Sequence, residues 1–182
     1  MGKRVLISSS SPRKGGNSDL LCDEFLHGAV EAGNEGEKIC LQDKKIQYCT
    51  GCGVCSEQGL PCPQKDDMPE ILNKMIQADV IVMATPVYFY TMSAQMKTLI
   101  DRTCSRYTEI TGKDFYFIVT AADEDAKEME RTLEGFRGFT YCLEDAKEKG
   151  VIAGVGVWKK GDIVGKEFLN QAYEMGRLVG KR

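Results

Sequence analysis

Val5-Leu6-Ile7-Ser8-Ser9-Ser10-Ser11-Pro12-Arg13-Lys14-Gly15-Gly16-Asn17-Ser18 lies close to the start of the 182-residue chain, and its reading decides the fold. Val5-Leu6-Ile7 is a short apolar run of strand type. Beyond Ser18, the residues Leu21, Cys22, Phe25, Leu26, Ala29 and Val30 fall at helical spacing. The stretch between them is a hydroxyl- and glycine-rich loop that joins a strand to a helix. Such a loop gathers backbone N–H groups and the positive end of a helix dipole at one place, which suits a phosphate. Ser8, Ser9, Ser10, Ser11 and Asn17 add neutral donors, and Arg13 and Lys14 add charge. The plain alternative is a polar loop with an ordinary serine or asparagine cap.

Two familiar phosphate loops do not match. No G-x-x-x-x-G-K-[ST] is present, and no G-x-G-x-x-G occurs anywhere in the chain. A monophosphate held by hydroxyls and an asparagine at a helix N-terminus remains. Flavodoxin-like folds hold FMN in this way.

Outward from the loop, the chain alternates strands with helices. The first helix is expected over Ser18–Ala32 with Gly33 as its stop, and a second strand near Glu37–Leu41. Asp66-Asp67-Met68-Pro69 reads as an acidic helix start with proline in the first turn, and Ile71, Leu72, Met75 and Ile76 form its buried stripe. Val80-Ile81-Val82-Met83-Ala84 is the near-continuous apolar run of a strand covered on both faces. A helix follows from about Ser93, then a strand at Phe115–Val119. One long helical pattern covers about Asp125–Lys149, interrupted by Gly135 and Gly138. A last strand is expected at Val151–Val157 and a last helix at about Lys166–Gly180. This is an α/β pattern: a flavodoxin-like, doubly wound, five-stranded parallel sheet in the order 2-1-3-4-5, with helices on both faces.

At this length one domain is expected, with a cysteine-rich insertion at about 43–66. Net charge is −3, and no basic patch points to nucleic acid. No apolar run approaches the roughly 18 residues of a membrane span. Lys3-Arg4 precede too few apolar residues for a signal peptide, and Leu6 stands where a myristoylation motif needs Ser or Thr. A cytoplasmic protein without nucleic-acid or membrane partners is the expectation. The only histidine, His27, lies near a helix C-terminus and reads as structural.

In an open parallel sheet, ligands bind beyond the carboxyl ends of the strands. Three loops end there. Loop 8–18 offers phosphate donors. Loop 85–90, Thr85-Pro86-Val87-Tyr88-Phe89-Tyr90, offers aromatic rings and exposed backbone suited to a flat heteroaromatic ring. Three adjacent aromatics cannot all face one core, so at least one is expected in the site. Loop 120–123 offers small residues that let a ring approach. The combination fits FMN better than ATP or NAD.

Ser11-Pro12-Arg13-Lys14-Gly15-Gly16-Asn17-Ser18 resembles the G-S-P-R-x-x-x-N-[ST] signature of the NAD(P)H-dependent FMN reductase and iron–sulfur flavoprotein group. Asp66-Asp67-Met68, Thr85-Pro86-Val87-Tyr88, Lys97 and Asp101-Arg102 extend the resemblance to about residue 106. Ser10 departs from it, standing where the group usually has glycine. The resemblance implies that Ser11, Arg13, Asn17 and Ser18 hold the FMN phosphate, with Ser9 also among the cofactor-binding residues. It places Pro86, Val87, Tyr88 and Phe89 along the isoalloxazine, with Thr120 and Ala121 on its other side.

The chain has eight cysteines, four of them in the run Cys49, Cys52, Cys55 and Cys62 with Pro63 after it. The spacing C-x2-C-x2-C-x6-C-P is close to the ferredoxin run for a [4Fe–4S] cluster and differs in its last gap. Zinc usually takes two separated C-x2-C knuckles. Cluster, zinc and free thiols all remain open on the residues alone, and the resemblance implies the cluster. Cys22, Cys40, Cys104 and Cys142 are scattered and read as small buried apolar residues.

The resemblance implies an FMN-dependent oxidoreductase or electron-transfer protein, with NAD(P)H or ferredoxin as donor and a small-molecule or redox-protein acceptor. No protein acid or base is needed, because the flavin carries the chemistry. The alternatives are a cluster-free NAD(P)H:quinone or FMN reductase, and a redox- or metal-sensing flavin-binding protein. The resemblance also implies a homodimer or homotetramer, with loops 85–90 and 43–66 as contact surfaces.

Overall fold

The computed structural model describes residues 2–181. Strand β1 (Arg4–Ser9) feeds the serine loop and helix α1 (Asn17–Glu31). Then come β2 (Glu35–Cys40), α2 (Met68–Gln77), β3 (Val80–Tyr88) and β4 (Thr91–Met92). The chain continues through α3 (Ala94–Arg102), β5 (Asp114–Thr120), α4 (Glu130–Tyr141), β6 (Lys147–Gly154) and α5 (Glu167–Arg177). The parallel strands lie in the order β2-β1-β3-β5-β6, which in sequence terms is the expected 2-1-3-4-5.

The sheet has a sixth strand that the sequence did not suggest. β4 is a two-residue antiparallel partner of β3, with Val87 opposite Met92 and Tyr88 opposite Thr91. Phe89 and Tyr90 form the tip between them, at φ 50° and 60°. Both central positions of a two-residue hairpin turn of this hand need positive φ, and they usually go to Asn and Gly. Two aromatics there keep a strained backbone at the mouth of the candidate site.

The central strands are buried on both faces. Leu6, Ile81, Met83, Phe115 and Phe117 pack under one helical layer with Met75, Leu99 and Phe136. Val5, Ile7, Val80, Val82 and Ile118 pack under the other with Leu21, Phe25 and Ala172. The edges are charged instead: β2 begins Glu35-Gly36-Glu37-Lys38 and β6 begins Lys147-Glu148-Lys149. Charge on an outer strand discourages further strand pairing.

That edge explains one correction. The expected helix to Lys149 stops at Tyr141, and the last strand starts at Lys147 rather than Val151. Leu143 N–H closes onto Thr140 O, and Asp145 turns the chain at φ 54°. The strand ends at Gly154, three residues before the expected Val157. The scattered cysteines need a second correction. Cys22 is buried and Cys40 partly so, but Cys104 and Cys142 are exposed at the ends of α3 and α4.

Helices α1 and α5 share one face and meet backbone to backbone. A Cβ placed on Gly28 would stand 2.1 Å from Tyr173 O, and one on Gly176 would stand 2.1 Å from Phe25 O. Only glycine permits this approach. His27 is exposed, 3.8 Å from Glu24, with its ring against Tyr173. No helix among the described residues is long and apolar enough to cross a membrane.

Candidate functional site

The serines of loop 8–18 divide into two groups. Ser8, Ser9 and Ser10 are buried. Ser9 Oγ donates to Asp19 Oδ1 at 3.0 Å. Ser10 Oγ donates to Ala84 O at 2.9 Å and takes a 2.9 Å hydrogen bond from Ser93 Oγ. The side chain that replaces the usual glycine thus ties β1 to β3 and to the start of α3. Ser11 is buried too but lines the cleft, and its Oγ accepts from Arg13 N–H at 3.2 Å.

Asp19 sets the shape of the loop, and the sequence reading passed over it. Its carboxylate accepts from Gly15 N–H at 2.8 Å and from Lys38 Nζ at 2.9 Å. Burial alone would push the carboxyl up. The Gly15, Lys38 and Ser9 bonds outweigh this and hold it below the usual carboxylate range.

An open cleft of about 640 Å³, counted to its solvent mouth, lies at the carboxyl edge of the sheet. Ser11, Arg13, Asn17 and Ser18 line one side. Pro86, Val87 and Tyr88 from the end of β3, and Thr120 and Ala121 from the end of β5, line another. Ser9 is buried, bonded to Asp19, and is not part of the lining. Phe89 is fully exposed at the hairpin tip and is not part of the lining. Of the three neighbouring aromatics, Tyr88 alone lines the cleft. Tyr90 OH reaches Asp123 at 3.4 Å, and the Arg131 guanidinium lies over its ring at 5.0 Å.

A further part of the lining comes from the loop after β6: Val157, Trp158 and Lys160. Nothing in this loop was singled out from the sequence, because Val157 was read as the end of a strand. Asn17 fastens it. Its Nδ2 donates to Lys159 O at 3.0 Å, and its Oδ1 accepts from Gly161 and Ile163 N–H at 3.1 and 3.3 Å. Arg13 Nη1 adds a 3.3 Å bond to Trp158 O.

The residues present fit a phosphorylated flavin. Ser18 is among the residues that line the cleft, and its Oγ is buried with no hydrogen-bond partner among the described residues. Such a hydroxyl calls for a ligand or an ordered water. It sits at the N-terminus of α1, where N–H groups and the dipole favour an anion. The lining includes Arg13 and Lys160 and no carboxylate or imidazole.

The cysteine loop, residues 44–67, is closed at its neck. Lys45 N–H and Gln47 N–H donate to the carboxylates of Asp67 and Asp66 at 2.6 and 3.0 Å. Arg102 then clamps Asp66, Gln47 O and the Cys62 sulfur, the last at 3.6 Å. The four thiols carry the donor chemistry of an iron–sulfur cluster, but their arrangement does not fit one. Among the described residues no three His, Cys, Asp or Glu side chains converge on one metal position. Cys104 lies beside Cys55 instead, its thiol pushed up first by burial and then by that neighbour.

The profile of the NADPH-dependent FMN reductase family matches residues 3–135, which carry the serine loop and both ring-side loops. The chain belongs to this family. An iron–sulfur flavoprotein of Methanocaldococcus jannaschii is 48% identical over 99 residues, 54% of this chain and 51% of that protein. One from Archaeoglobus fulgidus is 46% identical over 92 residues, 50% of this chain and 41% of that protein. The chain thus spans about half the length or less of these two relatives. The solved NAD(P)H:quinone oxidoreductase from Methanothermobacter marburgensis superposes with a TM-score of 0.75 at 18% identity, covering 100% of this chain and 99% of that one. That likeness shows the fold, a flavodoxin-like family sheet with helices on both faces.

Proposed function

We propose that the cleft holds FMN and that the protein is an FMN-dependent oxidoreductase of the iron–sulfur flavoprotein or NAD(P)H-dependent FMN reductase type. The buried, unpartnered hydroxyl of Ser18 beside a cleft lined by cations and no acid carries this reading. The phosphate would lie against Ser11, Arg13 and Ser18, with Tyr88, Thr120 and Ala121 along the ring. Bound there, the flavin supplies the redox chemistry between a reduced donor, NAD(P)H or ferredoxin, and an acceptor. The protein's own part is to bind, orient and shield. Titration of the flavin-free chain with FMN tests this. One FMN per chain is expected, and Arg13→Ala should weaken it about five- to a hundredfold by removing a charge-assisted bond. Wild-type protein that binds no FMN overturns the reading.

For the cysteine loop we propose that Cys49, Cys52, Cys55 and Cys62 take up a [4Fe–4S] cluster only after the loop rearranges. The names of the two archaeal relatives and the ferredoxin-like spacing support this. A homodimer or homotetramer belongs to the same proposal, with the exposed Phe89 tip as a contact. Light scattering on the FMN-loaded protein tests it, and a monomer at micromolar concentration would refute it.

A further inference from the structure

Lys160 stands outside everything the sequence motifs assign, and beyond residue 135, where the family match ends. The loop that carries it is built rather than loose. Asp162 Oδ2 accepts from Trp158 and Lys159 N–H at 3.0 and 2.7 Å, and these backbone bonds hold the carboxyl below its usual range. Ile163 is fully buried. Asn17, the first residue of α1, takes three hydrogen bonds with this loop.

These contacts bring Lys160 over the serine loop. A Cβ on Gly15 would stand 3.4 Å from Lys160 Cε and 3.6 Å from its Nζ. Lys160 makes no ion pair among the described residues, and neither does Arg13. Lys14, the loop's other cation, is drawn away to Asp43 at 2.9 Å. Two cations without an ion pair among the described residues therefore flank one helix N-terminus, from opposite ends of the sequence.

We infer that Lys160 is the second cation of the phosphate site, selecting a phosphorylated flavin over an unphosphorylated one. The inference rests on the FMN reading of the cleft and assigns that reading a residue from the C-terminal loop. An ammonium is a point charge on a flexible stem, suited to a phosphate dianion at a rim. It contributes nothing to a neutral ligand.

The test compares FMN with riboflavin on the flavin-free full chain, for wild type, Lys160→Gln and Lys160→Arg, by quenching of flavin fluorescence. Lys160→Gln should weaken FMN about three- to tenfold at low salt and leave riboflavin unchanged, because a phosphate-directed charge acts only on the phosphate. Lys160→Arg should restore most of the FMN affinity. Wild type that binds FMN, with Lys160→Gln binding it equally well, overturns this inference alone. An equal loss of FMN and riboflavin also overturns it, since that marks a structural role. Wild type that binds no FMN overturns the cofactor reading, and the inference falls with it.

Discussion

Arg102 and Asp66 form an ion pair through two hydrogen bonds of 2.6 and 3.2 Å, with both side chains almost wholly buried. Burial pushes the Asp66 carboxyl up, but the Arg102 bond and the Gln47 and Met68 amides outweigh it and leave the pKa lowered. A carboxylate with a lowered folded pKa contributes stability that is complete above the unfolded value of about 3.9 and fades as pH falls through the folded value. Asp66→Asn should therefore cost about 3 kcal/mol at pH 7, the scale for one lost partner of a buried pair. The gap should narrow as wild type is acidified below about pH 4, where its own carboxyl becomes neutral. Urea melts of both proteins across pH 3–7 check this, and a gap that does not change with pH would refute it.

Asn17 is predicted to act on the cleft through the loop after β6. Asn17→Ala removes three hydrogen bonds to residues 159, 161 and 163, together about 1–3 kcal/mol. Trypsin should then cut after Lys159 or Lys160 sooner than in wild type, and FMN should bind more weakly. Cleavage at the wild-type rate would show that the loop does not depend on Asn17.

Gly28→Ala should destabilise the fold despite its better helix propensity. The propensity gain is about 1 kcal/mol. The new methyl would meet Tyr173 O at 2.1 Å, so α1 and α5 must separate, at a cost of roughly 2 kcal/mol or more. Chemical denaturation should show a net loss, and a stabilised variant would contradict the helix contact.

Anaerobic incubation with iron and sulfide should load the cysteine loop. Cys52→Ala should lower iron uptake, while Cys104→Ala should leave it at the wild-type level. Folded, FMN-loaded wild type that takes up no iron would end the cluster proposal, and equal losses in the two variants would change the ligand set.

The β1–loop–α1 unit was legible in the sequence because its signals are local: an apolar run, a hydroxyl loop, and a helical stripe from Leu21 to Val30. The start of β6 was not. Lys147-Glu148-Lys149 has the composition of a surface helix, and only its pairing to β5 at the open edge makes it a strand. The burial of Cys104 and Cys142 was misjudged because spacing does not tell a core position from the end of a short helix. The cleft was half visible. Ser11, Arg13 and Tyr88 sit in recognisable loops, whereas the partners of Asn17 lie as far as 146 residues away. A side chain's distant partners leave no local trace.

The backbone approach of α1 and α5 at Gly28 and Gly176 has a consequence for how the protein is made. The serine loop leads into α1, and the Lys160 loop leads into α5. A nascent chain that has emerged only through β5 holds every motif residue of the flavin signature but not the wall opposite. The two helices cannot dock until translation has passed Gly176. A chain stalled short of α5 would therefore present the serine loop without the Lys160 wall docked against it.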